Sequence, residues 1–323
     1  MKEPIDVVIT WVDGQDRELA EKRKQYVESD ELEHDDTGGA TRYASIGEIW
    51  WCVASINRFA PWVHHIYIVT DGQDPQLTPF LEESFPEGYI PMDIVDHRQI
   101  FRGFEQYLPT FNSLSIETML WRIPGLSRHF IEMNDDFMFS APVSPDDFFL
   151  AGDTPVCYAT WACLPLVRMT RIIKRCMEGR PKVTFKGNMI AAAQIAGNRW
   201  TFLKIRHAAR PLVRDTFEEC LGQHSDLIER NIRHRFRHIE QFHAEELHYL
   251  HLARRNRLCV RSPKGLLFYL EPKDKKNYVL RKLARLKRGS YKFCCFNNLN
   301  LATEQDLCEI KAAIANILKI SVK

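Results

Sequence analysis

Residues 5–14 read IDVVITWVDG, an apolar, β-branched run with few polar breaks that closes on an Asp-Gly turn dipeptide. A half-solvated strand would alternate apolar and polar residues; a near-continuous apolar run suits a strand buried on both faces of a parallel sheet. The pattern returns at residues 64–72, HHIYIVTDG. Between the two, residues 46–59 set Ile49, Cys52, Val53 and Ile56 along one helical face. Strand, helix and strand, each strand ending in Asp-Gly, make a βαβ unit. An α/β fold around a mostly parallel, Rossmann-like sheet is therefore expected.

Working outward, residues 15–41 are polar and predict a helix followed by a loop. PMDIVDH (91–97) predicts a third strand and residues 113–120 a helix. The next strand, HFIEMNDDFMF (129–139), carries Asn134, Asp135 and Asp136 inside an apolar run. Adjacent carboxylates repel, and burying either one unpaired costs several kcal/mol. Two readings stand: a solvated turn, or a site with a positive partner such as a divalent cation, which prefers hard oxygen ligands. The carboxyl ends of strands form the ligand crevice of an open α/β sheet, so Asp13, Asp71 and the Asp135/Asp136 pair are expected to share one space. Asp71 also reads as a plain turn residue.

Beyond Pro142 the character changes, with most of the histidines and most of the Arg and Lys residues in residues 160–290. Helices are expected at residues 217–227 and 244–253. The expected division is an α/β core over 1–150, which carries the acidic strand ends, and a largely helical, basic part over 151–323, the two forming one integrated domain. Apolar residues at 45%, charged residues at 27% and a net charge of +2 exclude a disordered chain. The nine cysteines lack a CxxC pair and are odd in number, which argues against a zinc knuckle and a disulfide framework. Cys294 and Cys295 are expected to point to opposite faces of a buried strand. No apolar run is long enough to span a membrane, and the first residues lack a signal peptide's apolar core, so a cytoplasmic location is expected. Residues 273–288, KDKKNYVLRKLARLKR, fit a solvated amphipathic helix, contact with an anionic membrane surface, or contact with a polyanionic substrate.

Two cationic clusters bear on chemistry: KIRHAARP (204–211), with Lys204, Arg206, His207 and Arg210, and RHRFRH (233–238), with Arg233, Arg235 and Arg237. Either reads as a solvated helix face or as a phosphate clamp, because guanidinium groups bind phosphate oxygens bidentately. Acidic strand ends and arginines combine into one idea: carboxylates hold Mg²⁺ or Mn²⁺ on a diphosphate while arginines neutralise the remaining charge. Such a clamp serves transfer of a sugar and transfer of its phosphate equally. Nucleic-acid binding through residues 273–288 leaves the NDD strand end unexplained and is set aside.

The blocks IDVVITWVDGQD, RYASIGEIWWCVASINRFAPWVHHIYIVTDGQDP, LPTFNSLSIETMLWRIPGLSRHFIEMNDDFMF, HAARP and RHRFRH together resemble the Stealth proteins. These are bacterial capsular polysaccharide phosphotransferases and their eukaryotic relative, the lysosomal-enzyme N-acetylglucosamine-1-phosphotransferase. The resemblance implies a GT-A-like sheet elaborated by helices, dependence on a divalent metal, and transfer of hexose 1-phosphate from a UDP-sugar to a glycan hydroxyl with release of UMP. It puts Asp13 on the nucleotide-sugar and Asn134, Asp135 and Asp136 on Mg²⁺ or Mn²⁺. His207 is implied as general base, with Asp136 competing, and Arg237 with Arg235 on the transferring phosphoryl group. Arg42, Asn112, Ser113 and Arg122 would contact the donor, and Arg210 the substrate. The implied partners are a UDP-sugar and a glycan or oligosaccharide-phosphate acceptor, with peripheral contact to the membrane or capsule-assembly proteins and no nucleic acid. The alternative is a metal-dependent glycosyltransferase of the same fold that releases UDP. The chain departs from the family pattern at Ala54, Leu114, Ala209 and the CFNN run 295–298.

Overall fold

Strand β1, Ile5–Thr10, lies at the middle of a five-stranded sheet. In a computed structural model of the chain, residues 3–27, 45–151, 153–167, 169, 183–222, 224–273 and 275–320 are described. On one side β1 pairs in parallel with β2, Ile66–Thr70, which pairs in parallel with β3, Met92–Asp96. On the other it pairs in parallel with β4, His129–Asn134. The further strands are β5 (Phe137–Phe139), β6 (Phe149–Leu150), β7 (Thr154–Cys163), β8 (Thr201–Ile205), β9 (Arg210–Val213), β10 (Cys259–Arg261), β11 (Leu267–Leu270) and β12 (Phe293–Phe296). Strand β9 closes the sheet antiparallel to β4, giving the order β3-β2-β1-β4-β9. The expected α/β fold with a mostly parallel sheet is what forms.

The unbroken apolarity of β1 follows from its burial on both faces. Val7 and Ile9 pack with Ile49, Cys52, Val53 and Ile56 of the helix Glu48–Phe59, the four residues whose spacing predicts that helix. Val8 points the other way, into a second core with Val69, Val95 and Phe130. Each such side chain contributes about 1.5–3 kcal/mol by leaving water. Asp6, fully buried in the same strand, is satisfied by the Ser127 amide (2.6 Å) and the His64 ring (2.9 Å).

Helices predominate beyond residue 150, as expected, but six strands also lie there and one of them, β9, belongs to the first sheet. The helix expected over 217–227 is interrupted: Arg214–Phe217 runs into a π-turn, Glu218–Gly222, and a new helix begins at Ser225. That expected over 244–253 spans Ala244–Arg254. In the basic segment the helix Tyr278–Arg288 turns Val279, Leu283 and Leu286 onto a third core, while most of its cations stay exposed. Cys294 and Cys295 do face opposite sides of β12, one in each of two cores, and the eight cysteines of the described residues are free. Among the described residues, no helix is long and apolar enough to cross a membrane.

Candidate active site

The parallel register brings the carboxyl ends of β1, β2 and β4 to one rim: Thr10 lies beside Val69 on one side and Asn134 on the other. A cavity of about 580 Å³ opens there. Its floor is the turn after β4, which carries Asp135 and Asp136 into β5. One wing is built from the β1 end (Thr10 to Val12), Asp71, His97 and Thr110; the other from Glu117, Phe185, Asn188, His207, Arg210, Arg237 and His243. Residues roughly 70 to 100 positions apart in the chain, those of the NDD turn with His207, Arg210 and Arg237 of the two cationic clusters, thus share one space.

Among the described residues, no ion pair holds the carboxylates at its centre. Burial pushes Asp135 well above the ordinary carboxylate range, and the neighbouring charges of Asp136 and Glu48 push it further. Asp136 is raised to about 6, mainly by burial, with the Cys295 thiol donating to its Oδ2 (3.3 Å) and opposing the shift. Among the described residues its Oδ1 is buried with no partner. Carboxylates that crowd and leave an oxygen unsatisfied fit a cation. Asn134 is less free, since its Oδ1 accepts from Arg210 Nη2 at 2.8 Å. Among the described residues, three groups of His, Cys, Asp and Glu bring three ligand atoms within 4.8 Å of one another, and Asp135 and Asp136 belong to none of them. Two of these groups already hold an arginine: Arg128 pairs with Glu3 and Asp153 beside His129, and Arg233 with Glu240 beside His234 and His238. The third is Glu117, His243 and Glu245, in the cavity wall.

The arginines divide. Arg237 lines the cavity and donates to Ser113 Oγ at 2.8 Å. Arg210 is buried, bonded through two nitrogens to Glu132 of β4 and stacked over Phe137. It faces the cavity while acting as a strut between strands. Arg235 points elsewhere: it donates to the carbonyls of Gln106 and Leu108 and sits over the Tyr26 ring, outside the cavity lining. Arg122 is likewise outside, held by the carbonyls of Ile100 and Arg102 at 2.7 and 2.6 Å. Asp13 accepts the Gln15 amide in its own turn, and its neighbours Trp11 and Val12 line the cavity instead. Arg42 lies outside the described residues. Asn112 spends its Nδ2 on the carbonyls of His234 and Phe236, and its buried Oδ1 has no partner among the described residues. Asp71 lines the cavity and pairs with Lys22.

The His207 ring stacks on Phe185 (5.2 Å between centroids) and abuts Phe137 and Tyr269. Burial and then the charge of Arg210 lower it to about 4, so it is neutral at pH 7. Three residues absent from the sequence expectation stand out: Glu117, His243 and Glu245, all buried, each with a polar atom that has no partner among the described residues. Glu117 carries the signal that marks Asp135, a carboxylate interrupting an apolar run, SLSIETMLW.

The sequence matches the family profile of Stealth protein CR1, conserved region 1, over residues 3–31, and of Stealth protein CR2, conserved region 2, over residues 42–156. Exopolysaccharide phosphotransferase SCO2594 of Streptomyces coelicolor is 32% identical across 98% of this chain and 50% of its own length. Capsular polysaccharide phosphotransferase LcbA of Neisseria meningitidis is 40% identical across 46% of this chain and 38% of its own. The chain thus spans half or less of the length of these two relatives. Capsular polysaccharide phosphotransferase WcwK of Streptococcus pneumoniae is 28% identical, with 97% of each chain aligned. Among solved structures, galactosyltransferase LgtC aligns over 97% of this chain and 95% of its own at 12% identity and a TM-score of 0.43, a likeness too loose to carry an argument.

Proposed function

This chain belongs to the Stealth family, and on that premise we propose that it transfers hexose 1-phosphate from a UDP-sugar to a glycan hydroxyl, releasing UMP and building the phosphodiester links of a surface polysaccharide. The observation that carries this reading is the single cavity in which Asp135 and Asp136 meet His207, Arg210 and Arg237. A diphosphate needs positive charge from both sides. Asp135 and Asp136 would hold Mg²⁺ or Mn²⁺, which when bound neutralises donor phosphate charge. Arg237, set by Ser113, faces the same space and would stabilise the charge that develops on the transferring phosphoryl group. The wing of Thr10, Trp11, Asp71, His97 and Thr110 has buried donors and acceptors without partners among the described residues, Trp11 Nε1, Thr110 Oγ1 and both His97 nitrogens, for the donor's nucleoside. The glycan enters from the opposite wing and gives its hydroxyl proton to a cavity imidazole, neutral at pH 7 and therefore able to accept it. The reading places the chain in the cytoplasm, in reach of UDP-sugars, with peripheral contact to the membrane.

The test is product analysis. The protein is incubated with a panel of UDP-hexoses, Mg²⁺ and short glycan acceptors, and the nucleotide and glycan products are read by mass spectrometry and phosphorus NMR. UMP with a new phosphodiester supports the reading. Accumulation of UDP without a phosphodiester replaces it with glycosyl transfer.

A further inference from the structure

Resting on that phosphotransfer reading, we propose that the outward face of the helix Tyr278–Arg288 holds the anionic chain under construction, a phosphodiester-linked glycan, and so keeps its end beside the cavity. Arg281, Arg285 and Arg288 are all exposed and stand four and three positions apart. That spacing sets them in one row along the helix, on the side away from Val279, Leu283 and Leu286. At about 1.5 Å of rise per residue the row is about 10 Å long. Arg281 donates one nitrogen to the Lys276 carbonyl (3.2 Å) and Arg288 one to the Ala284 carbonyl (3.1 Å), so most of the N–H donors on the three guanidinium groups stay available.

The row is not neutralised from within the protein. Among the described residues no carboxylate pairs with a cation of the segment 273–288, and Glu271, just before it, accepts instead from Asn298 Nδ2 at 3.0 Å. Lys282 senses the crowding: burial, and after it the charges of Arg285 and Lys273, lower its ammonium from the ordinary value. Like charges gathered on a folded surface favour a ligand that brings several negative charges at once, and arginines bind phosphate oxygens in particular. A chain with a phosphate at every link meets both conditions.

Two observations choose the glycan over an anionic bilayer. A helix lying in a membrane surface buries its apolar face among the lipids, whereas here that face is packed into a core with Phe268, Ile310 and Ile314. The helix is also tied to the cavity wall. Lys282 Nζ donates to the Tyr269 carbonyl at 2.8 Å, the Tyr269 ring lies 5.4 Å from that of His207 between centroids, and the Tyr269 hydroxyl accepts from the cavity-lining Asn297 at 2.9 Å. A chain on the arginine row is therefore held next to the strand that walls the reacting end. Binding of this kind acts on acceptors of several repeats and leaves a single-repeat acceptor untouched.

The experiment compares the parent with a triple variant, Arg281→Gln, Arg285→Gln and Arg288→Gln, in which glutamine keeps a good helix former at each position. Lys282 stays in place, and thermal unfolding establishes the fold. The probe is a fluorescein-labelled, phosphodiester-linked hexose oligomer, read by fluorescence anisotropy beside a neutral oligosaccharide of the same length, with no UDP-sugar present. The parent should prefer the charged oligomer, with an affinity that falls as salt rises, and the triple variant should bind it about 10-fold more weakly. Changing the same three residues to lysine, which keeps the charge, should recover most of the binding. In turnover the glutamine variant should raise KM for long acceptors alone, with kcat and the KM for UDP-sugar unchanged. Absence of oligomer binding in the parent, or equal affinity in parent and glutamine variant, overturns the proposal. So does loss of sedimentation with phosphatidylglycerol vesicles in a glutamine variant that still binds the oligomer, which would assign the face to the membrane. The anisotropy needs neither donor nor turnover, so release of UDP in place of UMP by the parent counts against the phosphotransfer reading alone.

Discussion

Arg210 and Glu132 are direct partners across the antiparallel β4–β9 pair, and their side chains form a buried ion pair at the level where the sheet meets the cavity. The guanidinium continues to Asn134 Oδ1, so one residue ties the fifth strand to the first residue of the NDD turn. Removing one member of such a pair leaves a buried charge with nothing opposite it, which costs about 3–5 kcal/mol. Arg210→Met should therefore unfold at markedly lower denaturant concentration, whereas the double change Arg210→Met with Glu132→Leu should recover most of the loss. Urea titrations of the single and double variants check this. A single variant within 1 kcal/mol of the parent would mean that the pair is not the strut described.

Asp135→Asn and Asp136→Asn should each lower turnover at least about 100-fold, the scale on which removal of one electrostatic element of an active site acts. Stability should not fall with it. Both carboxyls are raised by burial, so a neutral amide relieves an unfavourable charge in the cation-free protein. Calorimetric titration with Mn²⁺ supplies the companion measurement: the parent should bind and each variant should bind more weakly. Equal Mn²⁺ affinity in all three would move the metal site elsewhere.

Asn112 predicts a split between stability and catalysis. Its Nδ2 holds the carbonyls of His234 and Phe236, the loop that delivers Arg237. Asn112→Ala leaves buried carbonyls unsatisfied, at about 1–3 kcal/mol, and loosens the Arg237 loop, so turnover should drop as well. Asn112→Asp keeps the size but removes the donor and should behave alike. Unaltered unfolding in both variants would count against the loop-holding role.

The βαβ unit was legible because its signals are local: apolar runs of strand length, a helical face between them, and Asp-Gly at each strand end. The crevice at those ends followed from topology alone, and the NDD turn stood out as charge inside an apolar run. The rest depends on long-range pairing. Nothing in RPLV (210–213) announces a strand of the first sheet, since its partner lies some eighty positions earlier and the carboxylate that bonds its arginine, Glu132, sits on that partner. Arg210 reads as a substrate contact, and Arg235 and Arg122 as parts of the site, because a cationic segment looks the same whether its guanidinium groups meet a ligand or backbone carbonyls. Glu245 lies within the helix expected over 244–253 and His243 just before it, nothing in the sequence singles out either, and both reveal themselves only through burial.

His248 governs a pH effect whose sign can be worked out. Buried in the helix Ala244–Arg254, it accepts the Val213 amide of β9 through Nε2 at 3.1 Å, a bond that requires that nitrogen to be unprotonated. Burial lowers the ring to about 3 in the folded protein from its ordinary 6.5. The unfolded chain therefore binds a proton that the folded one refuses. The resulting stability is fully present above pH 6.5 and is lost as pH falls toward 3, at about 1.4 kcal/mol per pH unit for this residue. His97 and His207, each lowered to about 4, act in the same direction and steepen the loss. His248→Gln places an amide oxygen where Nε2 stood, keeps the Val213 bond and removes one titrating group. Its unfolding free energy, measured in urea at pH 7.5 and 5, should fall by about 2 kcal/mol less between the two than that of the parent. An unchanged pH slope would show that His248 does not set the acid sensitivity, and a steeper one would reverse the assigned sign.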